Sequence, residues 1–334
     1  LKEANIYDIS VAGNTTMLHL LLGLPCKNIA MAPYIPVVSE ALVYDARDVG
    51  LVTCGIVSIM PGIASYVGSD ITAGIVSSGM LKSEKYSVLL DLGTNGEIAL
   101  GNNQGILTCS TAAGPAFEGA NIRHGIGGVK GAISKVDLSK ENIYETIGDA
   151  APCGICGSGV LDMVAQLVKH GIIDETGRML DEDEIENSEL LKRMEYDDIK
   201  QFVLSEKNKN REAIVFTQKD VREVQLAKAA VRAGINILLE EKKLKYNDIE
   251  NVFIGGGFGN FMDIESSLII GMLPEEFRGK VKSIGNCAGS GAKMYLLSKS
   301  AREEASRVAE KAHYIELSSR PDFQDHFVDS MMFE

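Results

Sequence analysis

Three times along this chain a short β-rich run stops at a glycine-bearing polar turn, and a helical stretch follows. Residues 6–12 pass through Gly13 and Asn14 into a helical pattern over 15–22. Residues 251–254 pass through Gly255, Gly256 and Gly257 toward a helix near 263–270. Residues 281–284 pass through Asn286 to Gly291 into a helix over 290–297. A helix placed between two strands is a crossover, and crossovers set the strands parallel with helices packed on the sheet faces. The repeated pattern predicts an α/β fold. An apolar run over 51–60 and a helical stretch over 63–78 add a second such unit to the first segment, after a loop around Pro33 and Pro36.

The middle of the chain follows a different rule. A strand over 87–90 enters Asp91-Leu92-Gly93-Thr94-Asn95-Gly96, and two more strands lie over 97–100 and 106–109. Asn-Gly is a strong hairpin signal, so these strands are expected to pair antiparallel. Residues 120–217 are irregular, with a short strand over 132–136, a helix over 158–169 and an acidic run over 181–184, and they read as an insertion. A long helix follows over 219–241, with Val224, Ala227, Val231, Ile235 and Leu238 on one stripe. Without the insertion, the second part reads as three strands and then alternating helices and strands. Residues 1–85 repeat only the closing half of that order. The expected organisation is therefore a duplicated fold with its first half incomplete in this sequence. Residues 1–85 form the closing part of the first subdomain, and 86–334 form the second subdomain with its insertion at about 120–217.

Composition removes several function classes. Hydrophobic residues make up 45% and charged residues 24%, which is the balance of a folded globular protein. No apolar run reaches the roughly 18–20 residues of a spanning helix. The net charge of -13 argues against nucleic acid and against anionic membrane as partners. No basic-then-apolar leader opens at Leu1, so no secretory signal is expected, and six cysteines fit free thiols in a reducing cytoplasm. Cys153 and Cys156 form the one CxxC pair, which gives no four-thiolate cluster within the chain.

Several residues carry candidate chemistry. Asp91 closes a strand ahead of Gly93, Thr94, Asn95 and Gly96; a carboxylate there can hold the water shell of a magnesium ion while glycine backbone approaches phosphate. The same residues also make an ordinary hairpin turn. Gly255, Gly256, Gly257, Phe258 and Gly259 leave room for a base or sugar on the backbone, or form a tight structural turn. Gly289 sits in a helix start that echoes Gly13, Asn14 and Thr15, where small residues permit either close helix packing or a helix end facing a cleft. Glu118 can orient a water or contact an ion, or serve as a solvated cap, and Asp70 is a further candidate acid or base. His19 and His170 lie on apolar helices and read as core or cap residues, whereas His124 beside Arg123 stands out.

Together these motifs resemble the carboxy-terminal region of the reductive activators of corrinoid proteins, in the acetate and sugar kinase, heat-shock chaperone and actin superfamily. The resemblance is carried by VAGNTTMLHLLLG (11–23), YVGSDITAGIVSSG (66–79), DLGTNGEIAL (91–100), STAAGPAFEGANIRHGIGG (110–128), GICGSGVLDMVAQL (154–167), FTQKDVREVQLAKAAVRAGI (216–235), FIGGGFGNF (253–261), GNCAGSGAKMYLLS (285–298) and YIELSSRPDFQDHFVDSMMF (314–333). It covers nearly the whole chain.

The resemblance implies an actin-like (ribonuclease H-like) nucleotide-binding fold. It makes 91–96 the second phosphate motif, with Asp91 holding Mg²⁺ through water, and 255–259 the adenosine motif. Gly13, Asn14 and Thr15 fall in one connecting motif and Gly289 in the other. The implied cofactors are ATP and Mg²⁺, with a 2Fe-2S ferredoxin domain elsewhere in the full-length family protein. The implied function is ATP-assisted reduction of a corrinoid cobalt from Co(II) to Co(I). The corrinoid belongs to the partner, either a corrinoid iron–sulfur protein or a corrinoid methyltransferase component, and a homodimer is the implied assembly. Three alternatives share the superfamily or the motifs: an activator of a 2-hydroxyacyl-CoA dehydratase, a small-molecule kinase, and a non-catalytic docking module for a corrinoid protein.

Overall fold

Residues 5–196, 198–209, 211–259 and 261–333 are described in a computed structural model of the chain. The first segment builds β1 (Asp8–Val11), α1 (Thr15–Leu21), the short α2 (Lys27–Ala30), β2 (Leu42–Asp45), β3 (Ile56–Ile59) and α3 (Ser69–Ser78). Its sheet has the order β1-β3-β2, with β1 parallel and β2 antiparallel to β3. Two expectations are corrected here. The strand expected over 51–60 is confined to β3, because Thr53 Oγ1 donates to the Ile6 carbonyl (2.9 Å) and the chain bends there. The helix expected over 63–78 starts only at Ser69, because Ala64 and Val67 close a tight turn ahead of it. β2 was not anticipated; four residues with three of them exposed carry little hydrophobic signal.

The second segment opens with the antiparallel meander β4 (Tyr86–Leu92), β5 (Gly96–Asn102) and β6 (Gly105–Thr111). Residues 132–217 add β7 (Ala132–Val136), β8 (Tyr144–Thr146), β9 (Gly154–Ile155), α4 (Gly157–Lys169), α5 (Ser188–Leu191), β10 (Met194–Glu195), β11 (Gln201–Ser205) and β12 (Ile214–Thr217). This stretch is less irregular than its sequence suggests, since it forms two three-stranded sheets. Then come α6 (Gln218–Lys242), β13 (Ile249–Gly255), the single turn α7 (Gly256–Gly259), α8 (Ile264–Ile269), β14 (Val281–Gly285), α9 (Cys287–Leu297), α10 (Lys299–Lys311), β15 (Ala312–Tyr314) and α11 (Phe323–Asp329). The open loop expected at 255–257 is replaced by helix from Gly256 onward. The helix expected from 290 begins at Cys287, because Asn286 Oδ1 accepts from Gly289 N (2.7 Å) and caps it. The elements after Leu297 had no sequence counterpart.

The main sheet runs β14-β13-β4-β5-β6-β15. β13 is parallel to β4, β14 to β13 and β15 to β6. Both faces are covered, which is why β4 carries three consecutive apolar residues, Val88, Leu89 and Leu90. Val88, Leu90 and Leu92 pack with α6 and α4 residues such as Val231, Ile235 and Val164. Leu89 and Ala99 face the other way, onto Ile71, Ile75, Tyr295 and Val308 of α3, α9 and α10. The hairpin tip and the carboxyl ends of β13 and β14 therefore emerge at one end of the sheet, where open α/β sheets bind ligands. No helix among the described residues is long and apolar enough to cross a membrane.

Candidate nucleotide site

Register places the key residues side by side. Gly255 at the end of β13 is aligned with Asp91 of β4 on one side and with Gly285 of β14 on the other. Asp91 in turn is aligned with Glu97 across the hairpin. The turn between them closes through a hydrogen bond from Gly93 N to the Asn95 carbonyl (3.0 Å). Its hydroxyl is held as well: Thr94 Oγ1 donates to Glu118 Oε1 (2.8 Å), so an exposed carboxylate from the 115–118 turn sits beside the tip.

Asp91 is enclosed from two sides. Gly256 has φ +86°, and a Cβ there would stand 2.6 Å from Asp91 Oδ1. A side chain at that position would push Asp91 out of place. On the other side, the Cys287 thiol at the start of α9 points to Asp91 Oδ2 (3.6 Å). Asp70 joins from the first turn of α3, with Ile71 N donating to its Oδ1 (2.9 Å). α3 is set by the first connecting loop: the Gly13 carbonyl accepts from Ser69 N (3.0 Å) and Asp70 N (3.3 Å), and Gly13 N donates to Ser69 Oγ (3.0 Å).

Three carboxylates thus share one partly buried corner. Burial raises Asp91. Burial, with Asp91 adding repulsion, lifts Asp70 to about 6. Burial, then Asp70 and Asp91, lift Glu97 to about 8, against a long hydrogen bond from Ser110 Oγ (3.4 Å). Such a corner favours a positive charge. Among the described residues the three do not bring their oxygens within 4.8 Å of one another as a set.

The other sequence candidates divide by how they are engaged. Gly257 is exposed with open space where a Cβ would point, and Gly93 is nearly as open. Gly96 and Asn95 belong to the same turn, with Thr111 Oγ1 donating to the Gly96 carbonyl (3.1 Å). Phe258 stacks on Phe117, ring centroids 4.8 Å apart, and Gly259 packs tightly on Ile254. Asn260 lies outside the described residues. Asn14 caps α1 by accepting from Met17 N (2.8 Å), and Thr15 Oγ1 donates to the Ala64 carbonyl (2.7 Å). Gly289 lies exposed in the first turn of α9, and no described contact ties it to Asp91. Glu97 and Cys287 were not singled out as site residues. Glu97 was within reach, because a three-residue turn at 93–95 puts 91 and 97 opposite each other. Cys287 depends on how α9 lies against β4, which no local pattern reveals.

The model for the "C-terminal domain of RACo the ASKHA domain" matches residues 85–334, and that for the "RACo middle region" matches 1–83. The chain belongs to the RACo family. It is 38% identical over 340 residues to the corrinoid activation enzyme RamQ of Eubacterium limosum, covering 100% of this chain and 57% of that protein. It is 25% identical over 368 residues to a Co(II) methylated amine-specific corrinoid protein reductase of Methanosarcina barkeri, covering 99% of this chain and 63% of that one. The solved "Reductive activator for corrinoid,iron-sulfur protein" superposes with a TM-score of 0.87 at 37% identity, over 100% of this chain and 53% of that structure. The chain thus spans 53% to 63% of the length of these relatives. The actin-like α/β class read from the sequence is the class of this family.

Proposed function

We propose that the chain binds ATP with Mg²⁺ at the end of the main sheet, and that in the complete protein this nucleotide serves reduction of a corrinoid protein's cobalt from Co(II) to Co(I). The observation that carries the reading is the alignment of Asp91, Gly255 and Gly285 on neighbouring strands, with the Asp91 turn against Gly256. Phosphate oxygens need backbone that can be approached closely, and Gly93 and Gly257 offer it. The raised carboxylates supply the field for a hydrated magnesium ion, with Asp91 as its anchor and Asp70 and Glu97 behind it. Magnesium, when bound, would neutralise phosphate charge. Glu118 accepts from the Thr94 hydroxyl and in this reading would orient a water at the turn. Gly13, Asn14 and Thr15 lead into α1 and Gly289 lies in the first turn of α9, and their role in this reading is positional. The division into 1–85 and 86–334 is part of the same proposal.

The corrinoid side of the reading rests on the relatives, two of which are named for corrinoid activation or corrinoid protein reduction. The electron would come from a 2Fe-2S domain outside these residues. Nucleotide-dependent affinity for the corrinoid partner would couple the two, since coupling needs one state to bind the partner better than the other. Replacing Asp91 with Ala is expected to lower Mg-ATP affinity at least ~10-fold while leaving circular dichroism unchanged. Calorimetric titration of both forms is the check, and unchanged affinity would remove Asp91 from the site.

A further inference from the structure

A cavity of about 470 Å³ lies next to the Asn95 turn, lined by none of Asp91, Glu97, Glu118 or the 255–259 segment. Its lining is aromatic with one charge. Tyr34 and Tyr66 come from the first segment, their ring centroids 5.5 Å apart. Tyr314 ends β15, Glu316 follows it, and Phe323 and Phe327 come from α11, 6.1 Å apart. Two features of this cavity bear on what it could hold. Tyr34 holds φ +56°, where a tyrosine sits only at a cost, and its carbonyl is pinned by the hydroxyl of buried Ser65, the neighbour of Tyr66. The Glu316 carboxylate has only neutral described partners: Tyr314 OH donates to Oε2 (3.2 Å), and Ser318 N (3.1 Å) and Oγ (2.7 Å) donate to Oε1. Glu316 lines the cavity beside Tyr66 and Tyr314, and both phenols are raised, by burial first, with Glu316 adding to it.

We propose that this cavity binds a small organic cation, an ammonium or guanidinium head on an apolar body. The head sits between Glu316 and the tyrosine rings, and the body lies against Phe323 and Phe327. A cation gains from aromatic faces and from an uncompensated carboxylate together, whereas a neutral ligand gains only from the apolar wall. The cavity borders the nucleotide turn at Asn95, but the groups that would hold the cation, Glu316 and the rings, belong to no part of the nucleotide reading.

The chain has no Trp, and three of its 10 Tyr, Tyr34, Tyr66 and Tyr314, line the cavity, so a ligand there perturbs tyrosine emission. The probes are benzyltrimethylammonium and its neutral counterpart 2-phenylethanol, titrated by emission and by calorimetry. Saturable binding of the cation is expected, at least ~10-fold tighter than the alcohol. Glu316→Gln is expected to erase that preference while thermal unfolding and Mg-ATP affinity stay as in the parent chain. Should Glu316→Gln fail to fold, Tyr66→Leu, at a ring that is 39% exposed, is expected to weaken the cation selectively. Equal binding of both probes, no saturable binding of either, or a cation preference that survives Glu316→Gln would each overturn the proposal.

Discussion

Asp91 has Gly256 beside it and Glu97 opposite it across the hairpin, and each neighbour leaves a measurable trace. Its near side is Gly256, whose backbone conformation and proximity both exclude a side chain. Gly256→Ala is expected to weaken Mg-ATP binding about as much as loss of Asp91, with a further loss of roughly 1 kcal/mol in stability from the φ penalty. Chemical denaturation and nucleotide titration of the same variant measure the two effects, and full nucleotide affinity in it would separate Gly256 from the site. Across the hairpin, Glu97 titrates far above a free carboxylate because burial and two like charges oppose its ionisation. A raised carboxyl helps the fold while it keeps its proton. Its contribution is complete below about pH 4.5 and is lost as pH rises through about 8. Glu97→Gln cannot lose a proton, so its stability should fall less between those limits than that of the parent chain. Parallel slopes for the two proteins in urea unfolding would show that Glu97 ionises freely in the folded state.

The elements that carry these residues are positioned by one close helix crossing. α3 brings Asp70 and α9 brings Cys287, and the two helices touch backbone to backbone at Gly291, where a Cβ would lie 2.1 Å from the Ala73 carbonyl oxygen. Any side chain at 291 must separate them. Gly291→Ala is therefore expected to cost about 1–3 kcal/mol, in the range of an overpacked core, although alanine is the better helix former. The same change should shift Asp70 and Cys287 away from Asp91 and weaken nucleotide binding, although residue 291 itself faces α3. A stabilised Gly291→Ala protein would mean that the helices have room to part. α6 contributes differently: it packs with α4 on one face of the sheet, and its Thr217–Asp220 capping box fixes where it starts.

Across the molecule, the first segment meets the second through that crossing and through the Arg302–Asp8 pair (3.1 Å) between α10 and β1. The carboxylate corner lies at this junction, so its charge state and the junction's stability are linked. A cation bound there is worth more once Asp70 and Glu97 have ionised. Adding Mg-ATP is therefore expected to raise the unfolding temperature more near about pH 8.5 than near about pH 5.5, because only the folded state holds the ligand. Scanning fluorimetry at the two values, with magnesium and nucleotide each added alone as controls, tests this. A larger shift on the acidic side would mean that the carboxylates do not face the ligand.

Much of this was legible in the chain alone, and for local reasons. Periodicity and turn chemistry act over a few residues, so the hairpin at 93–95, the long helix behind it and the strand–glycine–helix repeats could be read directly. The motif order was sufficient to indicate the family and the fold class. Elements whose form is set by distant partners could not be read: β2 and β15 are strands because a sheet edge accepts them, and 51–55 bends because Thr53 bonds to Ile6. The site divides in the same way. Asp91 and its turn are written in consecutive residues. The company Asp91 keeps comes from Asp70, Gly256 and Cys287, which lie far apart in the chain. Strand register and the α3–α9 crossing bring them together, and those are properties of the packed fold.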